Sequence, residues 1–327
     1  MSGTILFLSA AEVSQTLSME TAIPAVRGAF VQLSRGLADV PVRTHLSLEG
    51  DGGALFMPVY LSRMSWLGCK IVTVVPENQD RGLPTTQALM AVFDAETGRA
   101  EAVMDAEVLT AVRTGAASGV ATDALARVDA SVAAIIGAGI QGRRQLEAIC
   151  CVRAIEQALV YDRERLAAEM FAAEMNDRLH IPVRVLDDPS GVHGADIICT
   201  ATSSVGPVLA DEDVAPGTHI NAIGAYRPNT REIPGETVAR AHLVVDSREA
   251  YLEEAGELVL ALDEGLLADD FIPDEIGQVV MGSEPGRKND LEITLFKSVG
   301  NAVQDLAVAS VVLEEARRLG LGTGVEL

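Results

Sequence analysis

Three cationic side chains in the first part of the sequence lie among apolar or small residues. Arg43 lies in PVRTHLSL, Lys70 heads the apolar run KIVTVV, and Arg113 lies within LTAVRTGAASG. A buried cation is costly to remove from water unless it meets an anion. Arginine is suited to bidentate carboxylate recognition, whereas lysine acts as a point charge or a proton donor. The three residues therefore predict either a site for an anionic ligand such as a carboxylate, or structural ion pairs with some of the 47 acidic residues.

The sequence GAGIQG, with Gly137, Gly139 and Gly142, is the second chemical feature. It follows an apolar run typical of a buried strand and opens a helical pattern, and Asp162 stands at the end of the next predicted strand. This context is that of the dinucleotide-binding fingerprint of a Rossmann fold. The first glycine permits a tight turn, the second lets backbone N–H groups approach a diphosphate, and the third lets the helix pack closely on the strand. The helix N-terminus then offers unpaired N–H donors to the phosphates.

The residues at the end of that next strand bear on which dinucleotide is bound. A carboxylate at Asp162 accepts hydrogen bonds from the adenosine ribose hydroxyls and repels a 2′-phosphate, which favours NAD over NADP. Arg163 and Arg165 follow at once and are able to pair with a 2′-phosphate, so the use of NADP stays open. A glycine-rich turn without a ligand and an S-adenosylmethionine site on a similar fold are the alternative interpretations.

Small polar residues end two later strand patterns. Thr200 and Thr202 lie in one segment, and Asn221, Gly224 and Ala225 lie in the other. Ligands of open α/β sheets bind outside the carboxyl ends of the strands, and short side chains there leave room for a ribose and a nicotinamide. Plain loops between strand and helix are the alternative interpretation of both segments.

The elements that position these residues change in character near residue 130. After it, strand and helix patterns alternate, which predicts an α/β fold with a doubly wound parallel sheet of Rossmann type. The predicted strands span 131–138, 154–162, 183–187, 195–202, 218–224 and 241–247, and the predicted helices span 141–152 and 163–179.

Before residue 130 the pattern is that of an antiparallel sheet followed by a helix. The predicted strands span 54–60, 70–75, 89–94 and 100–104, and the predicted helix spans 105–126. The final segment, 291–320, is predicted as one long helix that packs back on this first part. The predicted division is a first domain over 1–118, a Rossmann domain over 119–301 and a helix over 302–327 that returns to the first domain.

Composition and charge exclude several classes of protein. The formal net charge of −22 repels nucleic-acid phosphate and anionic lipid, so neither nucleic acid nor a membrane is predicted as a partner. Apolar residues make up 48% of the chain, as in a globular protein, and no apolar run approaches the ~18 residues needed to cross a bilayer. The N-terminal apolar stretch is short and lacks a basic leader, so no secretory signal is predicted and we expect a cytoplasmic protein.

Cysteine and histidine usage predicts neither disulfides nor a metal site. The four cysteines form no CxxC pair, and the five histidines show no HxxxH or HExxH spacing. Buried thiols and scattered surface histidines are the favoured interpretation, and we expect no metal cofactor.

Several segments together resemble the ornithine cyclodeaminase/mu-crystallin family, and the resemblance runs through nearly the whole chain. They are, in order, PVRTHLSL, LGCKIVTVVPEN, RGLPTTQALMAVFDAETG, LTAVRTGAASGVAT, IIGAGIQGRRQLEAI, NAIGAYRPNTREIP and ITLFKSVGNAVQDLA. The resemblance implies a discontinuous α+β domain for substrate binding and dimerisation, joined to a Rossmann domain, in a homodimer.

The resemblance also implies roles for individual residues. Arg43, Lys70 and Arg113 match positions that bind the substrate carboxylate, and Lys70 matches a position near the proton chemistry. Together with the glycine loop, the residues expected to contact the dinucleotide are Thr85, Arg113, Thr114, Gly137, Gly139, Ile140, Gln141, Gly142, Asp162, Arg163, Thr200, Thr202, Ile223, Gly224, Ala225, Tyr226, Arg227 and Ser298.

One residue departs from the cyclodeaminase branch of the family. Cyclodeaminases carry an aspartate that handles the amines of the substrate where this sequence has Tyr226, within GAYRPNTRE. A tyrosine with an ordinary pKa near ~10 cannot replace a carboxylate as a base at neutral pH. The sequence is therefore more similar to ketimine reductases and amino-acid dehydrogenases.

The activity that this resemblance implies is reduction of a small 2-imino acid to an L-amino acid by NAD(P)H, with Lys70 as the catalytic proton donor. The candidate substrates are Δ1-pyrroline-2-carboxylate, iminosuccinate and the imine of pyruvate. Two alternatives stay open. One is an ornithine cyclodeaminase that converts L-ornithine to L-proline and ammonia with bound NAD, and the other is an NAD(P)-loaded ligand-binding protein of the mu-crystallin type.

Overall fold

The computed structural model describes residues 3–48, 50 and 52–326, apart from the side chain at position 79. The chain divides into two compact units. One comprises the chain up to Arg113 and from Asn301 on, and the other comprises Thr114–Gly300. The predicted domain boundaries, after residues 118 and 301, lie a few residues from these positions. Among the described residues, no helix has the length and apolar composition needed to cross a membrane.

The secondary-structure elements are numbered here in chain order. The strands are β1 (Thr4–Leu8), β2 (Ala38–Asp39), β3 (Thr44–Ser47), β4 (Gly53–Leu61), β5 (Trp66–Val74), β6 (Thr86–Asp94), β7 (Ala100–Asp105), β8 (Val132–Ile136), β9 (Gln157–Tyr161), β10 (Val183–Val185), β11 (Ile197–Thr200), β12 (His219–Ala222), β13 (His242–Val245), β14 (Asp274–Glu275), β15 (Thr294–Lys297) and β16 (Thr323–Glu326). The helices are α1 (Ala10–Thr16), α2 (Met19–Ser34), α3 (Glu107–Leu125), α4 (Ile140–Val152), α5 (Arg165–Leu179), α6 (Gly235–Arg240), α7 (Arg248–Glu254), α8 (Gly256–Asp263), α9 (Ile276–Met281) and α10 (Ala302–Leu319).

The first unit is built on a mixed sheet with the strand order β16-β1-β7-β6-β5-β4-β2, and β3 pairs with β4. The strands from β4 to β7 pair in antiparallel fashion, as the predicted strands and tight turn require. A Cβ added at Gly68 of β5 would lie 2.9 Å from Leu306 Cδ1 of α10. Because side chains alternate between the faces of a strand, Gly68 and Lys70 belong to the same face. That face of the sheet is therefore covered closely by α10.

The second unit contains a parallel sheet with the strand order β10-β9-β8-β11-β12-β15-β13-β14. Its described strand pairs are all parallel, so the prediction of a doubly wound α/β fold is confirmed. Along β8, Ala133 and Ile135 belong to one buried apolar cluster and Ala134 and Ile136 to another, so both faces are covered. The strand order reverses between β8 and β11, and a crevice for a ligand is expected at the carboxyl ends of these strands.

The prediction of one long helix over 291–320 is wrong. Thr294–Lys297 forms the fully buried strand β15 between β12 and β13, and α10 begins only at Ala302, where the Asn301 side chain caps it. A short apolar run carries no period that separates a buried strand from a buried helix, which explains the error. The predicted C-terminal helix over 302–327 also ends early, because the chain turns at Gly320 and continues into β16.

His219 lies at the centre of a buried polar network inside the second unit. Its Nδ1 lies 2.9 Å from Thr294 Oγ1 and its Nε2 lies 3.3 Å from Asn221 Oδ1. Asn221 Nδ2 in turn donates to Thr122 Oγ1 of α3 at 3.0 Å. The pKa of His219 is lowered to about 3, mainly by burial and in addition by the Arg287 guanidinium. The imidazole is therefore neutral in the folded protein.

This neutral histidine makes stability depend on pH. Below the ordinary histidine pKa the unfolded chain binds a proton that folded His219 does not, so stability falls as pH falls. We expect the change in unfolding free energy between about pH 7 and about pH 5.5 to be about 1.2 kcal/mol larger in the wild type than in His219→Gln. Urea unfolding at the two pH values measures this difference. Equal changes in the two proteins would show that His219 is not buried in its neutral form.

Candidate functional site

Lys70 lies in the middle of β5 and is almost completely buried, with 2% of its surface exposed. Its cross-strand neighbours are Met57 on β4 and Met90 on β6, both buried and uncharged. An ammonium group in such surroundings is stable only if an anion accompanies it. The anion comes from the helix that covers this face of the sheet.

That anion is the carboxylate of Asp305 on α10. Lys70 Nζ lies 2.9 Å from Asp305 Oδ1 and 2.8 Å from Oδ2. Arg113 Nε of α3 donates to the same Oδ1 at 3.0 Å. Asp305 is fully buried and Arg113 is 7% exposed, so the three charged groups form one enclosed cluster in the first unit.

Gln304 completes the cluster beside Asp305. Its Oε1 accepts a hydrogen bond from Arg113 Nη1 at 2.7 Å. Since the amide oxygen is used in this way, the amide nitrogen must point elsewhere, and within the described residues it is buried without an acceptor. A buried donor without a partner costs free energy, which an oxygen atom of a ligand would recover.

Burial and the neighbouring charges of the cluster set the pKa of Lys70. The pKa of Lys70 is lowered from 10.5 to about 8, mainly by burial. The Arg113 and Arg43 guanidinium groups contribute to this lowering, and the Asp305 carboxylate opposes it. A group with a pKa near 8 is mostly protonated at neutral pH and still gives up its proton readily. This is the property that general-acid catalysis requires.

The remaining predicted residues of the first unit lie in loops. Arg43 is half-buried in the segment between β2 and β3, and its charge acts on Lys70. Thr85 lies immediately before β6 with an exposed side chain, and its carbonyl accepts a hydrogen bond from Val75 N at 2.7 Å. The structure therefore places Arg43, Lys70 and Arg113 within one electrostatic environment, while the contact of Thr85 with a dinucleotide stays a prediction.

The glycine loop of the second unit joins β8 to α4 in the geometry of a dinucleotide-binding turn. Gly137 has φ +106°, which favours glycine, and a Cβ there would lie 2.4 Å from Ala201 O. A Cβ at Gly142 would lie 2.1 Å from Gly137 O, so the helix packs directly on the turn. Gly139 differs, because a Cβ there would meet no atom within 4 Å. The protein itself does not require glycine at 139, whereas a diphosphate approaching the backbone would.

The residues around this loop fit a dinucleotide. Gly139 is the N-cap of the 13-residue helix α4 and provides no side-chain cap, so the first N–H groups remain available for phosphate oxygens. Half-buried Asp162 follows β9, and its two carboxylate oxygens accept from Ala138 N at 2.8 Å and Glu164 N at 2.9 Å. Next to it, Arg163 is exposed. Ile140 is 72% exposed at the start of α4, and Gln141 follows it.

A buried glutamate ties together the loops that follow β11 and β12. Glu232 accepts from Thr200 Oγ1 at 2.8 Å, from Thr202 N and Thr202 Oγ1 at 2.7 Å each, and from Gly224 N at 2.6 Å. Burial raises the pKa of Glu232 above its ordinary value, and the Lys297 ammonium counteracts this shift. Glu232 therefore fixes the edges of the crevice at the carboxyl ends of the strands.

The structure also locates the other predicted dinucleotide residues of the second unit, whose contact with a dinucleotide stays a prediction. Ala225 O accepts a hydrogen bond from Lys297 Nζ, and Ser298 Oγ donates to Asp246 Oδ2 at 2.7 Å. Tyr226 is 46% exposed, with the Arg227 guanidinium 5.6 Å from its ring centroid. Ile223 is buried after β12, and buried Thr114 on α3 accepts a hydrogen bond at its carbonyl from Gln145 Nε2 at 3.4 Å.

Comparisons with known proteins show the family of the chain. The sequence model of the ornithine cyclodeaminase/mu-crystallin family matches residues 4–319. The chain belongs to this family. It is 39% identical to a Δ1-pyrroline-2-carboxylate reductase of Bacillus cereus, over 98% of this chain and 100% of that protein.

Solved structures of the family superpose closely on this chain. A Δ1-pyrroline-2-carboxylate reductase of Thermococcus litoralis in complex with NADH and L-proline has a TM-score of 0.94 and 42% identity, covering 98% of this chain and 100% of that chain. An archaeal alanine dehydrogenase dimer with bound NAD has a TM-score of 0.94 and 39% identity, covering 99% and 100%. The fold of the whole chain is thus the fold of NAD-binding members of the ornithine cyclodeaminase/mu-crystallin family.

Three residues that organise the sites were not among those predicted, namely Gln304, Asp305 and Glu232. Each is fully buried, and each binds residues that were predicted. The adjacent polar pair Gln304-Asp305 interrupts an otherwise apolar and small-residue helix, NAVQDLAVAS, and is the one signal that the sequence offers for them. Glu232 lies in a loop and has no comparable signal.

Proposed function

We propose that this protein reduces a small 2-imino acid to an L-amino acid with NADH as the reductant. The observation that carries the proposal is the buried cluster in which Lys70 and Arg113 share the carboxylate of Asp305. Lys70 and Arg113 place two cations against this one carboxylate, so the cluster keeps an excess of positive charge while Lys70 is protonated. Such an excess inside a protein of net charge −22 favours an anionic ligand, and a carboxylate suits the arginine fork.

The cluster also accounts for the proton that imine reduction needs. An imine accepts hydride readily when its nitrogen is protonated, because the iminium carbon is more electrophilic. Lys70, whose pKa lies at about 8, supplies that proton to the imine nitrogen and regains one from water. Holding the substrate carboxylate on the arginines orients C2 and removes much of the entropic cost of the reaction.

NAD fits the second unit. The open side of Gly139, the uncapped start of α4 and the carboxylate of Asp162 are the features that a diphosphate and an adenosine ribose require. When bound, the dinucleotide supplies the hydride. The T. litoralis relative was solved with NADH and L-proline, which supports both the reductant and a cyclic imino acid as substrate.

Cyclodeamination of ornithine is the second candidate, and Tyr226 argues against it. Its phenol is exposed beside the Arg227 guanidinium, where cyclodeaminases are expected to carry a carboxylate. A cyclodeaminase turns over without net change in NADH. A dinucleotide-loaded ligand-binding protein is the third candidate. It gives no turnover and leaves the lowered pKa of Lys70 unexplained.

NADH absorbance with a panel of substrates tests the proposal. The panel contains Δ1-pyrroline-2-carboxylate, and pyruvate, glyoxylate or oxaloacetate each with ammonia or methylamine. We expect oxidation of NADH with at least one imine, and the imine that supports oxidation identifies the class of imino-acid substrate. Proline made from ornithine plus NAD, with no response to any imine, would instead identify a cyclodeaminase, and binding of NADH without any turnover would identify a binding protein.

We also propose that the protein is a cytoplasmic homodimer. On the face opposite α10, β5 carries Leu67, Cys69 and Ile71, and Ile71 stands between Phe56 of β4 and Leu89 of β6. These five residues are called the apolar sheet face. Leu67 is 41% exposed and Leu89 is 40% exposed, and an exposed apolar patch of this kind marks an interaction surface. An archaeal relative is a dimer, and the four cysteines are free, as in a reducing compartment.

A charge on the apolar sheet face tests the dimer. We expect Ile71→Asp to convert the protein from dimer to monomer in size-exclusion chromatography with light scattering, because an unpaired carboxylate is costly to bury at an interface. Val128→Asp is the matched control, since Val128 is 92% exposed in the loop before β8 and lies outside this face. A wild-type monomer, or a dimer that survives Ile71→Asp, would contradict the proposal.

A further inference from the structure

We infer that Asp305 is a positioning residue for the reaction, which holds Lys70 and Arg113 in a fixed mutual arrangement and keeps the proton on Lys70. The inference deepens the proposed function, because it concerns the same site, and it assigns a role to a residue that contacts the substrate-binding cations rather than the substrate. It rests on the geometry of three described side chains.

The geometry makes one carboxylate the common support of two cations. Asp305 Oδ1 accepts from Lys70 Nζ at 2.9 Å and from Arg113 Nε at 3.0 Å, and Oδ2 lies 2.8 Å from Lys70 Nζ. Asp305 lies in the first turn of α10, where the helix dipole favours a negative charge. Lys70 comes from β5 and Arg113 from α3, and Asp305 is the group that fixes the one against the other.

The charges around Lys70 give Asp305 a second effect. The charged groups that act on the ammonium are Asp305 from α10, Arg113 from α3 and Arg43 from the segment before β3, while the neighbouring strands present Met57 and Met90. Burial and both arginines favour the neutral amine, and Asp305 favours the ammonium. Removing the carboxylate therefore lowers the pKa of Lys70 below about 8, so that a larger fraction of Lys70 is unprotonated near neutral pH.

Asp305 both positions the cations and keeps Lys70 protonated, whereas Gln304, its neighbour on the same helix, is expected only to position Arg113. Gln304 fixes Arg113 through a 2.7 Å hydrogen bond but is uncharged and makes no bond to Lys70 among the described residues. Loss of Gln304 is expected to weaken binding of the substrate carboxylate by Arg113 without changing the protonation of Lys70. Gln304→Ala is thus the matched control for a change in the charge of Asp305.

The sequence offers a direct measurement that does not depend on turnover. It contains three lysines, Lys70, Lys288 and Lys297. Carbon-13 labelling of lysine gives three Cε signals, and Lys70→Met identifies the one that belongs to Lys70. Its chemical shift, followed against pH, reports the pKa of Lys70 in each variant.

The experiment compares wild type, Asp305→Asn, Asp305→Glu and Gln304→Ala in the full-length protein. We expect the titration of Lys70 to fall by about one pH unit or more in Asp305→Asn, since about 1.4 kcal/mol corresponds to one unit, and to stay near its wild-type position in the other two. In Asp305→Asn, the pH at which kcat/KM for the imine substrate declines on the alkaline side should shift by the same amount. Gln304→Ala should raise KM and leave that pH unchanged.

Failure of this inference is distinguishable from failure of the proposed function. A Lys70 titration that is the same in wild type and Asp305→Asn would overturn the role of Asp305, even if NADH oxidation continues. Absence of NADH oxidation with every imine would overturn the function, even if the titration moves. If Asp305→Asn does not fold, as judged by urea unfolding, Asp305→Glu carries the test, because a preserved charge must preserve the titration and a shifted one contradicts the inference.

Discussion

Replacing Lys70 by methionine is expected to lower kcat for imine reduction by about 10²–10⁴-fold, the usual contribution of a positioned acid or base. Methionine keeps much of the side-chain volume between Met57 and Met90 but has no proton to give. Asp305 retains at Oδ1 its hydrogen bond from Arg113 Nε at 3.0 Å, so the buried carboxylate keeps one of its two cationic partners. The loss should therefore appear in the rate rather than in the fold.

NADH oxidation at saturating imine measures the effect. The matched control is Lys288→Met, since Lys288 is exposed and lies in the second unit, and its kcat should equal that of the wild type. NADH binding by fluorescence should be unchanged in Lys70→Met, because Lys70 belongs to the first unit and the glycine loop to the second. A kcat within about threefold of wild type would show that the proton comes from elsewhere.

The cations of the first site were open to prediction because their surroundings in the sequence are informative. Lys70 and Arg113 stand among apolar and small residues, which is unusual for a solvated charge. The sequence alone left an anionic ligand and structural ion pairs as alternatives. The structure shows the ion pairs, and the anionic ligand stays a proposal. Both cations pair with Asp305, so one buried carboxylate stands against two cations.

Asp305 itself could not be predicted as their partner, because it lies 235 positions from Lys70 along the chain. Its contact depends on how α10 crosses the sheet, which no local pattern encodes. Glu232 has the same difficulty, since its four donors come from the end of β11 and from the loops that follow β11 and β12. Buried polar partners of this kind are fixed by tertiary packing rather than by local sequence.

The fold shows the same division between local and distant information. The strands and helices from β8 to α5 were predicted because each has its own period and the glycine turn separates them. The strand β15 was predicted as helix, since ITLF is short, apolar and followed directly by a true helix pattern. Only its place between β12 and β13 makes it a strand.

Two glycine substitutions in the dinucleotide loop should both weaken NADH binding but should differ in their effect on stability. In Gly139→Ala a Cβ meets no protein atom within 4 Å, so we expect an unchanged melting temperature but NADH affinity weaker by about tenfold or more, which is about 1.4 kcal/mol. In Gly142→Ala the Cβ would lie 2.1 Å from Gly137 O, so the loop must shift and the second unit should lose stability together with binding. The two variants thus separate a glycine required by the ligand from one required by the fold.

Thermal unfolding and NADH titration by fluorescence, carried out on both variants, measure these outcomes. Gly36→Ala is an unsuitable control because its φ of +66° would strain the backbone, whereas Gly28→Ala in α2 has no strain and meets no atom within 4 Å. Gly28→Ala should bind NADH as the wild type does. If Gly139→Ala also binds as the wild type does, the diphosphate does not approach residue 139, and the argument that places it on the N-terminus of α4 fails with it.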